Sequence, residues 1–191
     1  MPGKHAMLSA SGAHRWMTCT PSAVLEAQFP ENTSEYAEEG TFAHALADLI
    51  INYNLHNMTK AQFNKKFEKM KENQYFSQEL LEYVESFANQ IFEYTNEAKL
   101  LCNDVIVLTE QRLDFSAYVP EGFGTGDVVI IADKELHIID LKYGKGVGVV
   151  AEGNPQIRLY ALGALNEYGM LYNIEQVRMT ICQPRLDMVT S

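Results

Sequence analysis

Two apolar segments in the second half of the chain are separated by only two residues, and this spacing limits how the region can fold. The segments are GDVVIIA (126–132) and ELHIIDLK (135–142), with Asp133 and Lys134 between them. Apolar, β-branched runs joined by a short polar turn are typical of an antiparallel β-hairpin. With the two intervening residues as the loop, Asp127 lies directly opposite Asp140 on the neighbouring strand.

The paired aspartates give one face of this predicted hairpin an unusual chemistry. Directly opposed residues share a face of the sheet, and Lys142, two residues beyond Asp140, points to the same side. The other side chains on that face are apolar: Val129, Ile131, Leu136 and Ile138. Two close carboxylates share a proton or bind a cation, and Mg²⁺ prefers carboxylate ligands. The pattern predicts a divalent-metal site beside a lysine, with a surface ion pair at a strand end as the alternative.

Hydrophobic periodicity predicts helices before the hairpin, and a helix and a strand after it. Predicted helices cover 9–16, 20–28, 38–53, 59–73, 77–99 and 154–168, predicted strands cover 105–115, 126–132, 135–142 and 175–183, and a polar loop covers 30–34. Ser9 or Ser11 is the candidate cap of the first helix, Ser77 opens the fifth, and Asn154 can cap the sixth. This order indicates an α/β or α+β fold, with helices on the faces of a sheet. We expect one domain over 1–191, with a mainly helical part at 1–100 and a sheet core at 101–185.

The charge and the cysteines exclude several classes of protein. With 15 Lys and Arg against 25 Asp and Glu, the net charge is -10, which argues against a surface that coats nucleic acid by charge alone. A nucleic-acid enzyme with a metal-screened acidic site is still compatible with this charge. The three cysteines lack CxxC spacing, so we expect reduced thiols, with Cys19 as a small buried one. The sequence has no 18-residue apolar run and no secretory signal, so no membrane segment is expected and the predicted location is cytoplasmic.

Four short motifs resemble those of one nuclease superfamily. Gly126-Asp127 followed by Asp140-Leu141-Lys142 resembles the D…DxK signature of the PD-(D/E)XK nucleases. GTFAH (40–44) and QIRLY (156–160) resemble the GxxxH and QxxxY motifs of the RecB-type branch. With the N-terminal segment that contains Ser9, Arg15-Trp16 and Cys19, the pattern is similar to an uncharacterised phage and prophage exonuclease-like family.

This resemblance implies a restriction-endonuclease-like core, αβββαβ, around a central mixed sheet. It implies that Asp127 and Asp140 bind Mg²⁺ or Mn²⁺, and that the backbone carbonyl of Leu141 completes the ligand shell. His44 would be a metal ligand or a substrate contact. Lys142 would be the catalytic lysine.

Further residues are expected around this centre. The resemblance implies that Gln156 and Tyr160 contact DNA or order the lysine, and their i, i+4 spacing places both on one helix face. Arg15 is a candidate phosphate contact, with an ordinary surface arginine as the alternative. Glu110 is a candidate additional carboxylate at the centre or a contact to one of its ligands, with a solvated strand position as the alternative.

The function implied is a Mg²⁺- or Mn²⁺-dependent DNA nuclease, exonuclease-like, that acts in phage or prophage recombination or DNA processing. The expected partners are DNA and a phage single-strand annealing or recombination protein, and ring-forming relatives leave a homo-oligomer open. Relatives with an iron–sulfur cluster use one early and three late cysteines, so Cys19 and Cys182 do not support a cluster here. Relatives also continue beyond the position of Ser191, which is compatible with a truncated chain. Two alternatives stay open: a nuclease-fold module that binds DNA or protein without cutting, and an α/β phage structural protein.

Overall fold

The computed structural model describes residues 6–29 and 34–191, so most of the predicted loop at 30–34 lies outside the described residues. The helices are α1 (Ala13–Thr18), α2 (Ser22–Glu26), α3 (Glu35–Asn54), α4 (Lys60–Lys71), α5 (Gln78–Leu101) and α6 (Pro155–Tyr168). The strands are β1 (Ile106–Asp114), β2 (Phe123–Ala132), β3 (Glu135–Leu141), β4 (Gln176–Gln183) and β5 (Met188–Thr190). No helix within the described residues has the length and apolar character needed to cross a bilayer.

The five strands form one mixed sheet in the order β1-β2-β3-β4-β5. The pairs are antiparallel except β3 and β4, which are parallel and are connected through α6. The order from α5 to β4 is therefore αβββαβ, which confirms the predicted α+β fold. The strand β5 was not predicted, because three residues are too few to show a strand periodicity.

The β2–β3 hairpin has the predicted register, with Ala132 paired to Glu135 and Val128 paired to Ile139. The turn between the strands contains Lys134 at φ 64, a left-handed conformation typical of tight hairpin turns. This register brings the ends that carry Asp127 and Asp140 next to each other. The prediction that the two aspartates share one face of the sheet was wrong, because the Asp127 carboxylate contacts His44 on α3, whereas Asp140 contacts Gln156 on α6.

Side-chain caps begin most of the helices where the sequence indicated. Ser77 caps α5 by accepting from the Leu80 amide, and Asn154 caps α6 by accepting from the Gln156 and Ile157 amides. Helix α3 begins three residues earlier than predicted, after Ser34. In α1 the N-cap is Gly12, whose amide donates to Ser9 Oγ at 3.2 Å, so Ser9 lies before the cap rather than at it.

Each face of the sheet packs against its own helices. One core joins α3 and α5 to Val128, Ile130 and Ile139, whereas the other joins α6 and the residues around α1 to Val129 and Ile138. The alternation of these strand residues between two buried faces is the period-2 pattern of a sheet covered on both sides.

This alternation changes sides once in β1 and once in β2. Thr109 donates to Asp48 on α3, but Leu113, four residues later, lies against Gly163 on α6. Residues four apart in a regular strand share a face. In β2, Val128 packs with the α3 layer, whereas a β-carbon added at Gly124 would lie 2.7 Å from the ring of Tyr160 on α6.

The change occurs at Glu110 in β1 and at Asp127 in β2. Glu110 has φ 48, in the left-handed region that residues other than glycine rarely adopt. The paired positions run from Thr109 and Val128 to Gln111 and Gly126, so Glu110 and Asp127 face each other across the break. In both strands the side chains exchange faces of the sheet at this level, and the pairing register is the same before and after it.

Candidate metal centre

Three side chains from three elements converge at this break. His44 comes from α3, Glu110 from β1 and Asp127 from β2, and one ligand atom of each lies within 4.8 Å of the others. Because the break turns the strands over, both carboxylates face α3 rather than α6. An imidazole nitrogen with carboxylate oxygens is a donor set that binds divalent metal ions such as Mn²⁺.

Asp127 is fixed by two contacts. Its Oδ1 lies 3.0 Å from His44 Nδ1, and its Oδ2 accepts a 2.6 Å hydrogen bond from the Leu141 amide. Burial lowers the pKa of His44, but the Asp127 carboxylate outweighs it, so the pKa is raised overall. The imidazole and the carboxylate therefore stabilise each other's position at the end of the β2–β3 hairpin that lies away from the turn.

Asp140, at the end of β3, is almost completely buried, with 3% of its surface exposed. Its Oδ2 lies 2.8 Å from Lys142 Nζ but makes no hydrogen bond of good geometry with any residue that the structure describes. Burial and the nearby Asp127 raise the pKa of Asp140, and Lys142 opposes this shift. A buried carboxylate oxygen that lacks a full set of partners is costly, and a bound cation would satisfy it.

Lys142 is oriented by α6. Its ammonium donates to Gln156 Oε1 at 2.7 Å, while Gln156 Nε2 lies 3.4 Å from Asp140 Oδ1 and 3.1 Å from the Tyr160 hydroxyl, to which it donates. Burial, followed by the charge of Asp140, raises the pKa of Tyr160, so the phenol stays protonated. The Gln156 amide thus connects the lysine, the buried aspartate and the tyrosine in one network.

One comparison with known proteins places the chain in a family. A family model, described as a protein of unknown function (DUF2800), matches residues 5–191. The chain belongs to the DUF2800 family. None of the solved structures matches the chain.

Most of the residues predicted for the site lie together in this DUF2800 chain. They form two groups around the end of the β2–β3 hairpin, and polar contacts join the members within each group. The first group is His44 and Asp127, and the second is Asp140, Lys142, Gln156 and Tyr160. Leu141 takes part through its backbone N–H, which bonds to Asp127, whereas the prediction concerned its carbonyl. The metal-binding and catalytic roles of these residues stay predictions.

Arg15 is placed differently from the other predicted residues. It pairs with Glu26 at 2.7 Å, and 63% of its side chain is exposed. Its recorded contacts within the described part of the chain join α1 to α2 and include none of the site residues. This placement corresponds to the surface-arginine alternative.

Glu110 is placed as one of its predicted roles requires. It was expected to be an additional carboxylate or a contact to a ligand, with a solvated strand position as the alternative; it is exposed, and its carboxylate lies with His44 and Asp127. Partial burial and the charge of Asp127 raise its pKa, and His44 opposes this shift. No sequence signal indicated that a glutamate would adopt the left-handed conformation that turns it towards α3.

Asp48 is a residue near the site that the sequence analysis missed. Its Oδ1 accepts hydrogen bonds from Thr109 Oγ1 and from Asn52 Nδ2, and Asn52 Nδ2 also lies 2.8 Å from Thr109 Oγ1. These bonds tie α3 to β1 one helical turn from His44. The i, i+4 spacing of His44 and Asp48 was the signal that could have identified it.

The prediction for Cys19 was wrong. It was expected to be a small buried thiol, but it is exposed, because it ends the short helix α1 at the protein surface. Cys182 is the buried thiol, and burial raises its pKa.

Proposed function

We propose that this chain is a divalent-metal-dependent DNA nuclease of the PD-(D/E)XK type that hydrolyses phosphodiester bonds. The observation that carries the proposal is the convergence of His44, Glu110 and Asp127 next to the buried Asp140–Lys142 pair. The motif resemblance and the αβββαβ order support the same assignment. We propose Mg²⁺ or Mn²⁺ as the metal, because the donors are mainly carboxylate oxygens.

The residues present fit such a cation. His44, Glu110 and Asp127 offer three donors close together, and the buried Oδ2 of Asp140 lacks a well-formed hydrogen bond. A bound divalent ion supplies polarisation of the phosphate and a lower pKa for water at the site. Burial, and then repulsion by Asp127, raise the pKa values of Glu110 and Asp140, and the positive charge of the ion would relieve this repulsion.

Lys142 is proposed as the catalytic lysine. Its ammonium is held by Gln156 Oε1 and by the charge of Asp140, so it has a fixed position beside the carboxylates. From there it can stabilise the negative charge that develops on a phosphate, or orient the attacking water. Gln156 is a positioning residue in this scheme, and Tyr160 supports Gln156.

The biological setting proposed follows from the resemblance alone. It is an exonuclease-like activity in phage or prophage DNA recombination or processing, in the cytoplasm of a bacterial host. DNA is the proposed substrate, and a phage single-strand annealing or recombination protein is the proposed partner.

The test is cleavage of linear duplex and single-stranded DNA by the purified chain with Mg²⁺, with Mn²⁺ and with EDTA. Lys142→Ala is expected to reduce the rate by about 100-fold or more, because positioned acid–base and charge-stabilising groups contribute about that much. Lys134→Ala is the matched control. It removes a lysine from the same hairpin, but that lysine pairs with Glu175 at the opposite end.

Equal cleavage by the Lys142→Ala and Lys134→Ala variants would contradict the assignment. Binding of Mn²⁺ and DNA without any cleavage would instead favour the alternative of a nuclease-fold binding module. Thermal midpoints of both variants, measured alongside, show whether any loss of activity reflects unfolding.

A further inference from the structure

Beyond the break in β1 and β2, one face of the sheet is left open, and it carries a stacked arginine and phenylalanine. The Cζ atom of Arg112 lies 3.6 Å from the centre of the Phe123 ring. We propose that Arg112, held by Phe123, binds a phosphate of the nucleic-acid strand adjacent to the phosphate at the metal centre. This inference rests on the proposed nuclease function and adds a substrate subsite to it.

The position of Arg112 follows from the change of face. Leu113 and the position of Gly124 face α6, so Arg112 and Thr125, which are paired neighbours, face the opposite side. Glu110 lies on that same side, next to His44. Two residues along an antiparallel strand cover about 6.8 Å, so this distance separates the backbone of Arg112 from that of Glu110, whose carboxylate faces the proposed metal.

The charge of Arg112 is available to a ligand. Its residue is exposed, and no carboxylate lies within ion-pair distance of it in the part of the chain that the structure describes. Two acidic residues, Glu110 and Asp114, lie two positions away from Arg112 along β1. Hydrogen bonds from Ser116 and, more weakly, the charge of Arg112 lower the pKa of Asp114, but the two side chains make no ion pair. In a chain of net charge -10, a cation that lacks an ion-pair partner among the described residues, beside an acidic centre, favours a polyanion there.

Stacking on Phe123 makes Arg112 suited to phosphate. The ring attracts the face of the guanidinium and limits its rotamers, so less entropy is lost when a ligand binds. Among the described residues the edge of the guanidinium has no hydrogen-bond partner, and its N–H donors match two phosphate oxygens. Such a contact positions a strand without reading its bases, so it would be independent of sequence.

The experiment measures binding of fluorescent single-stranded oligonucleotides of two unrelated sequences in the Lys142→Ala background, where cleavage is suppressed. We expect Arg112→Ala to weaken binding about 5- to 20-fold for both sequences. It should also reduce the slope of log Kd against log salt by about 0.7, the value for one lost phosphate contact on a single strand. Arg112→Lys keeps the charge, so the slope should be retained while affinity falls less. Arg158→Ala, which removes an exposed arginine from α6, is the matched control and should change neither quantity.

Mn²⁺ binding and the thermal midpoint of the Arg112→Ala variant should equal those of its parent, because the guanidinium contacts neither the metal-facing donors nor the core. Unchanged affinity and salt slope, with normal cleavage by the wild type, would overturn the subsite alone. A wild type that neither binds nor cuts nucleic acid would overturn both the subsite and the proposed function. A loss of Mn²⁺ binding or of folding in Arg112→Ala would show a structural role and would also overturn the subsite.

Discussion

Glu110 and Asp127 face each other across β1 and β2 at the level where both strands change the face that their side chains occupy. This relationship turns both carboxylates towards His44 on α3, while Asp140 on β3 still points towards α6. The candidate site is therefore assembled from both sides of the sheet at one end of the hairpin.

Replacing Glu110 should separate backbone strain from metal binding. At φ 48 a side chain is strained and glycine is not. We expect Glu110→Gly to be about 1 kcal/mol more stable than Glu110→Ala, by chemical denaturation, because only alanine keeps the strain of a β-carbon in this conformation. Both variants should lose Mn²⁺ affinity equally in calorimetric titrations. Retained affinity in both would show that Glu110 is not a ligand.

Gln156→Leu should impair catalysis and leave the Mn²⁺ affinity of the site unchanged. The change removes the acceptor that holds Lys142 and leaves His44, Glu110 and Asp127 in place. We expect kcat to fall about 10- to 100-fold, and to fall no further when the change is added to Lys142→Ala, since residues that act through one another are not additive. Multiplicative losses in the double variant would contradict a positioning role.

Thr109→Val should weaken metal binding from a distance. The hydroxyl of Thr109 bonds to Asp48, and this bond joins α3, which carries His44, to β1, which carries Glu110. Its removal should cost about 1 kcal/mol of stability, because the half-buried Asp48 carboxylate loses a donor. Mn²⁺ affinity should fall as well, and Thr109→Ser, which restores the donor, should recover both. A loss of stability with unchanged Mn²⁺ affinity would show that the Thr109–Asp48 hydrogen bond has no role at the metal site.

His137 should make the fold sensitive to acid. It is buried on the α5 side of the sheet against Tyr94 and shares a 2.7 Å hydrogen bond with Thr180. Burial, and then the charge of Arg178, lower its pKa from 6.5 to about 3. Because the folded-state pKa is lower than the unfolded one, stability is complete above about pH 6.5 and falls towards pH 3, by at most ~1.4 kcal/mol per pH unit.

Urea denaturation between pH 7 and pH 4 measures this dependence. His137→Gln, which cannot gain a proton, should flatten the curve in that range, whereas His14→Gln, at an exposed position, should leave it unchanged. Parallel curves for the wild type and His137→Gln would contradict a neutral, buried histidine.

The sequence predicted the hairpin and its register because a two-residue turn between apolar runs leaves few pairings. It also predicted the caps at Ser77 and Asn154, since a cap is a local signal. The relation of Lys142 to Gln156 followed from motif positions. The contribution of Glu110 did not, because its left-handed backbone conformation comes from the paired break with β2, and no residue type at 110 indicates it.

Arg15 shows the opposite limit. Its chemistry suited a phosphate, but its actual partner, Glu26, depends on how α1 and α2 fold against each other. Short helices have weak periodicity and weak caps, so their mutual placement is decided by tertiary contacts. Long-range partners of exposed charged side chains could not be predicted from a single sequence.

Because of the change of face in β1 and β2, neighbouring residues differ in their role: some pack against α6, and those between them face solvent. Leu113 and Gly124 pack against α6 with almost no spare room, whereas Arg112, Phe123 and Thr125, interleaved with them, border solvent or are only half-buried. Substitutions at the second set can therefore alter the proposed phosphate contact without disturbing the packing against α6. The interior and the proposed ligand contact are set by alternate residues of the same two strands, so each can vary separately.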